Sequence, residues 1–206
     1  METRPTQSKK RRAYAPRVPA GQRRTELLDA ALHLVATQGQ RAVTMDAVAD
    51  RVGVTKPVVY GLFASRTELL TTLLRREHEQ GLTQLLAILP DRITDPGQVL
   101  ADFLRVVRAT PDRWHCIVMP MADMPPEFHD AREHARAVVL RRTEKLVGPL
   151  LRAVHAPEGL APDIVAQTVV ALFEMAARLV LTDPEAFAPE RFITAIRAAV
   201  GLVTGG

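Results

Sequence analysis

Residues 44–63 read TMDAVADRVGVTKPVVYGLF, and the punctuation of this stretch decides the fold. Thr44 precedes Met45, Val48, Ala49 and Val52, a spacing that puts the apolar side chains on one helical face. Its hydroxyl is suited to cap the free amides of the first turn. Gly53 ends that helix. Thr55 is placed to cap a second short helix through Phe63, with Pro57 in its first turn, where a missing N–H costs little. Two short helices joined through a glycine-containing turn make a helix-turn-helix. Val48, Val52, Val54, Val59 and Phe63 pin the pair against the helix before it, while Lys56, Pro57 and Tyr60 face outward.

Upstream, a helix over 22–38 carries Leu27, Leu28, Ala31, Leu32, Leu34 and Val35 and stops at Gly39, a glycine C-cap. Downstream, Ser65 and Glu68 have capping-box spacing and open a fourth helix that runs to Pro90. Prolines then mark helix starts: Pro96 for a fifth, Pro111 for a sixth, Pro162 for an eighth and Pro189 for a ninth. A long seventh is expected over 127–155, with a kink at Gly148-Pro149. No stretch alternates with the period of a strand, so the expected class is all-α.

The outward groups of the helix-turn-helix each have a chemical use. Thr44 and Thr55 sit at helix starts, where free amides and the dipole favour a phosphate. Lys56 can donate to guanine O6 or N7, and Pro57 offers an apolar face to a thymine methyl. Tyr60 and Arg66 can bond to phosphate oxygens and fix the register. A bare helix-glycine-helix pattern would equally suit an ordinary helical hairpin with exposed polar residues.

More than that pattern is present. Residues 23–70 resemble the DNA-binding domain of the TetR family of repressors: an amphipathic helix ending at Gly39, then Thr44, Val48-Ala49, Gly53-Val54-Thr55, Tyr60, Phe63, Ser65-Arg66 and Glu68-Leu69-Leu70. Family members usually carry lysine where Arg66 stands, and often an aromatic or histidine pair near Gly61-Leu62. The resemblance implies a homodimer on a palindromic double-stranded DNA operator, released when a small-molecule effector binds the C-terminal domain. It divides the chain into a flexible basic arm over 1–20, a three-helix DNA-binding domain over 21–66, and a ligand-binding and dimerisation domain over 67–206. An activator, a corepressor-dependent regulator or a helical interaction protein are the alternatives.

The bulk numbers agree with a helical protein. Of 206 residues, 47% are hydrophobic and only 4% aromatic, so Ala, Leu and Val supply the apolar mass. The formal charge is +4, yet residues 1–22 alone hold Arg4, Lys9, Lys10, Arg11, Arg12 and Arg17 against Glu2. Such an arm suits an anionic partner, phosphate backbone or acidic membrane surface, or is a solubilising tail. Cys116 is the single cysteine, which points to a reducing compartment. The first 25 residues lack an apolar signal core, and the most apolar stretch, 168–181, is interrupted by Glu174 and Arg178. A cytoplasmic protein without a membrane span is expected.

In the C-terminal two-thirds, the eighth and ninth helices are apolar on nearly every side. Val169, Phe173, Ile193, Ile196 and Val200 are expected to meet a two-fold partner in a four-helix bundle, although a central place in a monomeric core would account for the same pattern. Phe103, Trp114, Met119, Met121, Met124, Phe128 and Phe173 are the large side chains available to line a cavity, or are plain core. Glu174 and Arg178 either pair along their helix or face that cavity. His115-Cys116 point to different helical faces, and His129 and His134 are one residue too far apart for the inverted zinc-protease spacing. No metal, no cofactor and no catalytic role is expected.

Overall fold

Ala47 N–H donates to Thr44 Oγ1 at 3.0 Å, so the cap forms and starts helix α2 (Met45–Val52). Gly53 closes it in the left-handed conformation, φ 72°, which glycine adopts without a Cβ penalty. Helix α1 (Ala20–Gln38) precedes it across a 3-10 turn (Gln40–Ala42), and α3 (Lys56–Tyr60) follows. The expected third helix ran through Phe63. The helix proper ends at Tyr60, and a turn over 61–63 keeps the Phe63 N–H bond to the Val59 carbonyl at 2.9 Å. Thr55 stands at the N-cap of α3, but its hydroxyl makes no capping hydrogen bond.

The structure, a computed structural model, describes residues 19–120, 126–156 and 159–204. The basic arm lies outside them. Beyond α3 come α4 (Arg66–Ile88), α5 (Pro96–Ala109), α6 (Pro111–Val118), α7 (Pro126–Ala153), α8 (Pro162–Thr182) and α9 (Pro189–Thr204). The chain is all-α among the described residues. Caps form where the sequence places them: Glu68 N–H donates to Ser65 Oγ at 3.1 Å, while Glu68 Oε2 accepts from Ala64 N–H at 2.7 Å. Asp95 Oδ1 accepts from Gly97 and Gln98. Helix α7 is continuous through Pro149.

Two cores organise the bundle. The first joins α1 to α4 through Leu27, Ala31, Val48, Val59, Phe63 and Leu73, each of the larger side chains contributing about 1.5–3 kcal/mol by leaving water. The second joins α5, α6 and α8 through Leu100, Phe103, Trp114, Ala176 and Val180. The two cores share helices. Leu69, Leu70, Leu73 and Leu74 of α4 belong to the first core while Leu85 and Ile88 pack on the second. Helix α6 is shared likewise, with Cys116 in the first core and Trp114 in the second. Burial pushes the Cys116 thiol up to about 12.

Helix α8 corrects one expectation. It begins at Pro162, so its apolar run is longer than 168–181, and by length and composition it is long enough and apolar enough to cross a membrane, with mean hydropathy 1.8. Here it packs along α7 and against α5 and α6, burying Ala166, Val170, Ala176, Ala177 and Val180.

Of the expected dimer residues, Val169, Phe173, Ile193 and Ile196 are half-buried within this chain. Phe173 sits 5.3 Å from the Phe103 ring, Ile196 packs on the second core, and half-buried Val169 borders the interior cavity. The Val200 side chain lies outside the described residues. The outward apolar face of α8 instead carries Ile164, 61% exposed, Ala171 and Met175. A helix apolar all round gives no periodicity from which to read its faces.

Candidate functional site

Thr44, Thr55, Lys56, Pro57 and Tyr60 all lie exposed on α2 and α3, as the outward reading of the motif expects. The reading did not single out Val58, which is 39% exposed beside Tyr60 at 48%. Val59 and Phe63 hold this short helix down from beneath. Arg24 of α1 clamps its end, donating from Nη1 to the Leu62 carbonyl at 2.6 Å with its guanidinium 4.2 Å from the Phe63 ring centroid.

Two cations of this face are already engaged. Lys56 Nζ lies 2.7 Å from Asp46 Oδ2 in an exposed pair, and that bond holds the ammonium above its ordinary range. Arg66 is tied to the turn before α2. Its Nε donates to the Val43 carbonyl at 2.6 Å and its Nη2 to the Gln40 carbonyl at 2.8 Å. The guanidinium thus brackets the turn that presents Thr44, rather than projecting freely toward a phosphate. Asp46 and Gln40 are too remote from these cations in sequence for helical spacing to reveal the pairs.

Between the shared helices and α7–α9 lies a cavity of about 640 Å³, within the range of small-molecule sites. Phe103, Trp114, Phe173, Glu174 and Arg178 all border it. Trp114 meets Phe103 edge-on at 5.1 Å. Met121 and Met124, and the side chain of Phe128, lie outside the described residues, and Met119 is half-buried.

Glu174 and Arg178 do not pair with each other. Glu174 Oε1 lies 4.0 Å from Arg136 Nη1 of α7, and Arg178 Nη1 is 3.5 Å from the Val118 carbonyl. The sequence reading missed Arg132, Arg136 and Thr143 in this wall. Their signal was present: with Val139, Leu146 and Leu150 they recur at helical spacing on one side of α7. His78 of α4 also borders the cavity, and burial lowers its pKa to about 4.

The reading face and the cavity share a joint. Glu77 of α4 is fully buried and accepts from Arg76 Nε at 2.6 Å and Arg113 Nε of α6 at 2.9 Å. Arg76 continues to Asp29 of α1 at 2.8 Å. His33 of α1 lies 3.3 Å from Asp112 of α6. At Gly81 a Cβ would come within 2.3 Å of Ile117 Cδ1, so a larger residue there would require the end of that side chain to turn aside.

Residues 27–73 match the profile of the bacterial regulatory proteins of the tetR family. The chain is 38% identical over 94 residues to the HTH-type transcriptional activator FasR of Mycolicibacterium smegmatis, a match spanning 43% of either chain. Among solved structures it resembles a transcriptional regulator from Rhodococcus sp. Rha1, with a TM-score of 0.67, 19% identity, and 89% of this chain and 96% of that one covered. It also resembles the transcriptional regulator FadR from Bacillus subtilis in complex with stearoyl-CoA, with a TM-score of 0.64, 13% identity, and 88% and 98% covered. The two structural likenesses extend the shared fold over the C-terminal helices.

Proposed function

We propose that this chain, a member of the tetR family of bacterial regulatory proteins by its N-terminal domain and its overall fold, is a ligand-responsive repressor that binds a palindromic operator as a dimer and is released by an inducer in its cavity. The observation that carries this reading is the sharing of α4 and α6. One side of each builds the DNA-reading domain, and the other walls the cavity. A ligand that favours a different spacing of these helices shifts the population of DNA-competent molecules by its differential affinity for the two arrangements.

On DNA, Lys56 leaves Asp46 for a guanine edge while Pro57 and Val58 present apolar surface to thymine methyls. Tyr60 and the amides at the α2 and α3 starts take phosphates. The outward faces of α8 (Ile164, Ala171, Met175) and α9 (Ala195, Ala198) form the two-fold contact, which sets the two reading helices about 34–36 Å apart for successive major grooves. The basic arm adds phosphate contacts, each steepening the salt dependence by about 0.9 in log–log slope.

The test is anisotropy titration of the full chain on duplexes tiled from the DNA flanking its own gene. Salt-dependent binding to one palindromic segment, lost on scrambling it, supports the reading; equal binding to both sequences refutes it. FasR's description as an activator favours a second reading, in which the bound regulator recruits polymerase. Transcription in vitro from the bound segment separates the two, falling for a repressor and rising for an activator.

A further inference from the structure

The cavity is chemically two-ended. Toward one end, α7 contributes Arg132 and Arg136, α8 contributes Glu174 and Arg178, and α6 contributes Trp114. Toward the other stand Leu89, Ile93, Leu150, Val154 and Leu160. Arg136 and Leu150 are separated along α7 by about 21 Å at 1.5 Å per residue, so the space is long as well as apolar.

The polar end is rich in donors. Trp114 is 3% exposed and borders the cavity, yet its indole N–H has no hydrogen-bond partner among the described residues. Arg136 donates from Nη2 to Gln167 Oε1 at 3.3 Å, while its buried Nη1, 4.0 Å from the Glu174 carboxylate, has no hydrogen-bond partner among the described residues. The threonine hydroxyls of the wall are already spent on their own helices, Thr143 on Val139 and Thr168 on Ile164. A buried donor left unmade is costly, and two in one apolar chamber call for an acceptor. Three arginines against one glutamate make that acceptor an anion.

We infer that the cavity takes an amphipathic anion, an extended aliphatic chain ending in a carboxylate or phosphate, with its head between Arg136 and the Trp114 N–H and its tail among Leu150, Val154 and Leu160. This inference rests on the cavity being the effector site of the regulator proposed above. Glu174 stands 4.0 Å from Arg136 Nη1, so the ligand head supplies the hydrogen-bonding acceptor that the glutamate does not reach and competes with it for the guanidinium.

The test holds the chain constant and varies the head. Laurate, dodecyl phosphate, dodecanol and dodecylamine are titrated below their aggregation thresholds into the full-length protein. Binding is followed by calorimetry and by the emission of Trp114, the single tryptophan. Laurate or dodecyl phosphate is expected to bind at least about tenfold more tightly than dodecanol, the loss that follows from removing a charge-assisted hydrogen bond. Whichever anion binds better identifies the head as carboxylate or phosphate. Arg136→Met should erase the preference for the anion while leaving dodecanol unchanged, and Glu174→Gln should tighten the anion. Trp114→Phe, read by calorimetry, should weaken the anion more than the alcohol.

Should Arg136→Met fail to fold, the wild-type head series decides alone. Equal affinity for dodecanol, tighter binding of dodecylamine, or no binding of any of the four overturns the inference. The same preparation is titrated with operator DNA: sequence-dependent DNA binding without anion preference defeats this inference and leaves the regulator standing. Loss of sequence-dependent DNA binding defeats the regulator instead.

Discussion

Glu77→Gln should destabilise the protein out of proportion to a change of one atom. The wild-type carboxylate is fully buried and accepts from Arg76 at one oxygen and Arg113 at the other. The amide keeps one acceptor but turns an N–H₂ toward a guanidinium, donor against donor. It also removes the one carboxylate among the described residues that reaches both of these largely buried arginines, since Asp29 reaches Arg76 alone. Breaking a buried ion pair by deleting one partner costs about 3–5 kcal/mol, or on the order of 10 °C in melting temperature for a chain of this size. Urea unfolding followed by circular dichroism measures it, at one protein concentration because a dimer's stability depends on concentration. The midpoint should fall with the slope unchanged. Arg113→Gln added to Glu77→Gln should cost less than the two changes separately, by a coupling of about 0.5–3 kcal/mol. A loss under about 0.5 kcal/mol for Glu77→Gln, the level of an ordinary surface change, would refute the claim that these charges hold α4, α6 and α1 together.

Arg66→Ala should lower stability by about 1–3 kcal/mol, because the Val43 and Gln40 carbonyls lose a charged donor, and should weaken all operator variants equally; unchanged unfolding with lost DNA binding would restore Arg66 as a phosphate contact. Lys56→Ala should cost about tenfold or more at one operator base and relax preference there, whereas Asp46→Asn, which frees Lys56, should raise affinity for DNA of any sequence; a panel of single-base variants reads both. His78 remains neutral in the folded state down to about pH 4 because of its burial, while the unfolded side chain takes a proton near its ordinary 6.5. Between these values the unfolded state binds more protons, so stability is full above about pH 6.5 and declines as the pH falls toward 4, by about 3 kcal/mol at 1.36 kcal/mol per unit. His78→Met should flatten that part of the stability–pH curve relative to wild type, and identical slopes would remove His78 as the cause. Met175→Asp, on the outward face of α8, should give folded monomers by sedimentation, whereas Ile196→Asp should instead unfold the C-terminal bundle; dimeric Met175→Asp would move the interface elsewhere.

What the sequence by itself determined was local. The caps of Thr44 and Ser65, the stop at Gly53 and the proline starts of α5, α6 and α8 stand where the residues place them, because each depends on atoms a few residues apart. The same holds for the outward set Thr44, Lys56, Pro57 and Tyr60, since a motif of two short helices leaves little choice of face. Only the tertiary structure decided who partners whom. Arg66 reaches back to residues 40 and 43, Glu174 prefers Arg136 to Arg178 one turn away, and Glu77 gathers arginines from two helices. A long side chain's partner is set by the three-dimensional neighbours it meets, and spacing along one helix does not report them. Helix α8 makes the same point for apolar residues. With Val169, Phe173 and Met175 alike hydrophobic, composition could not tell the cavity side from the outward side. Only the packing of α7, α5 and α6 around it selected which face is buried.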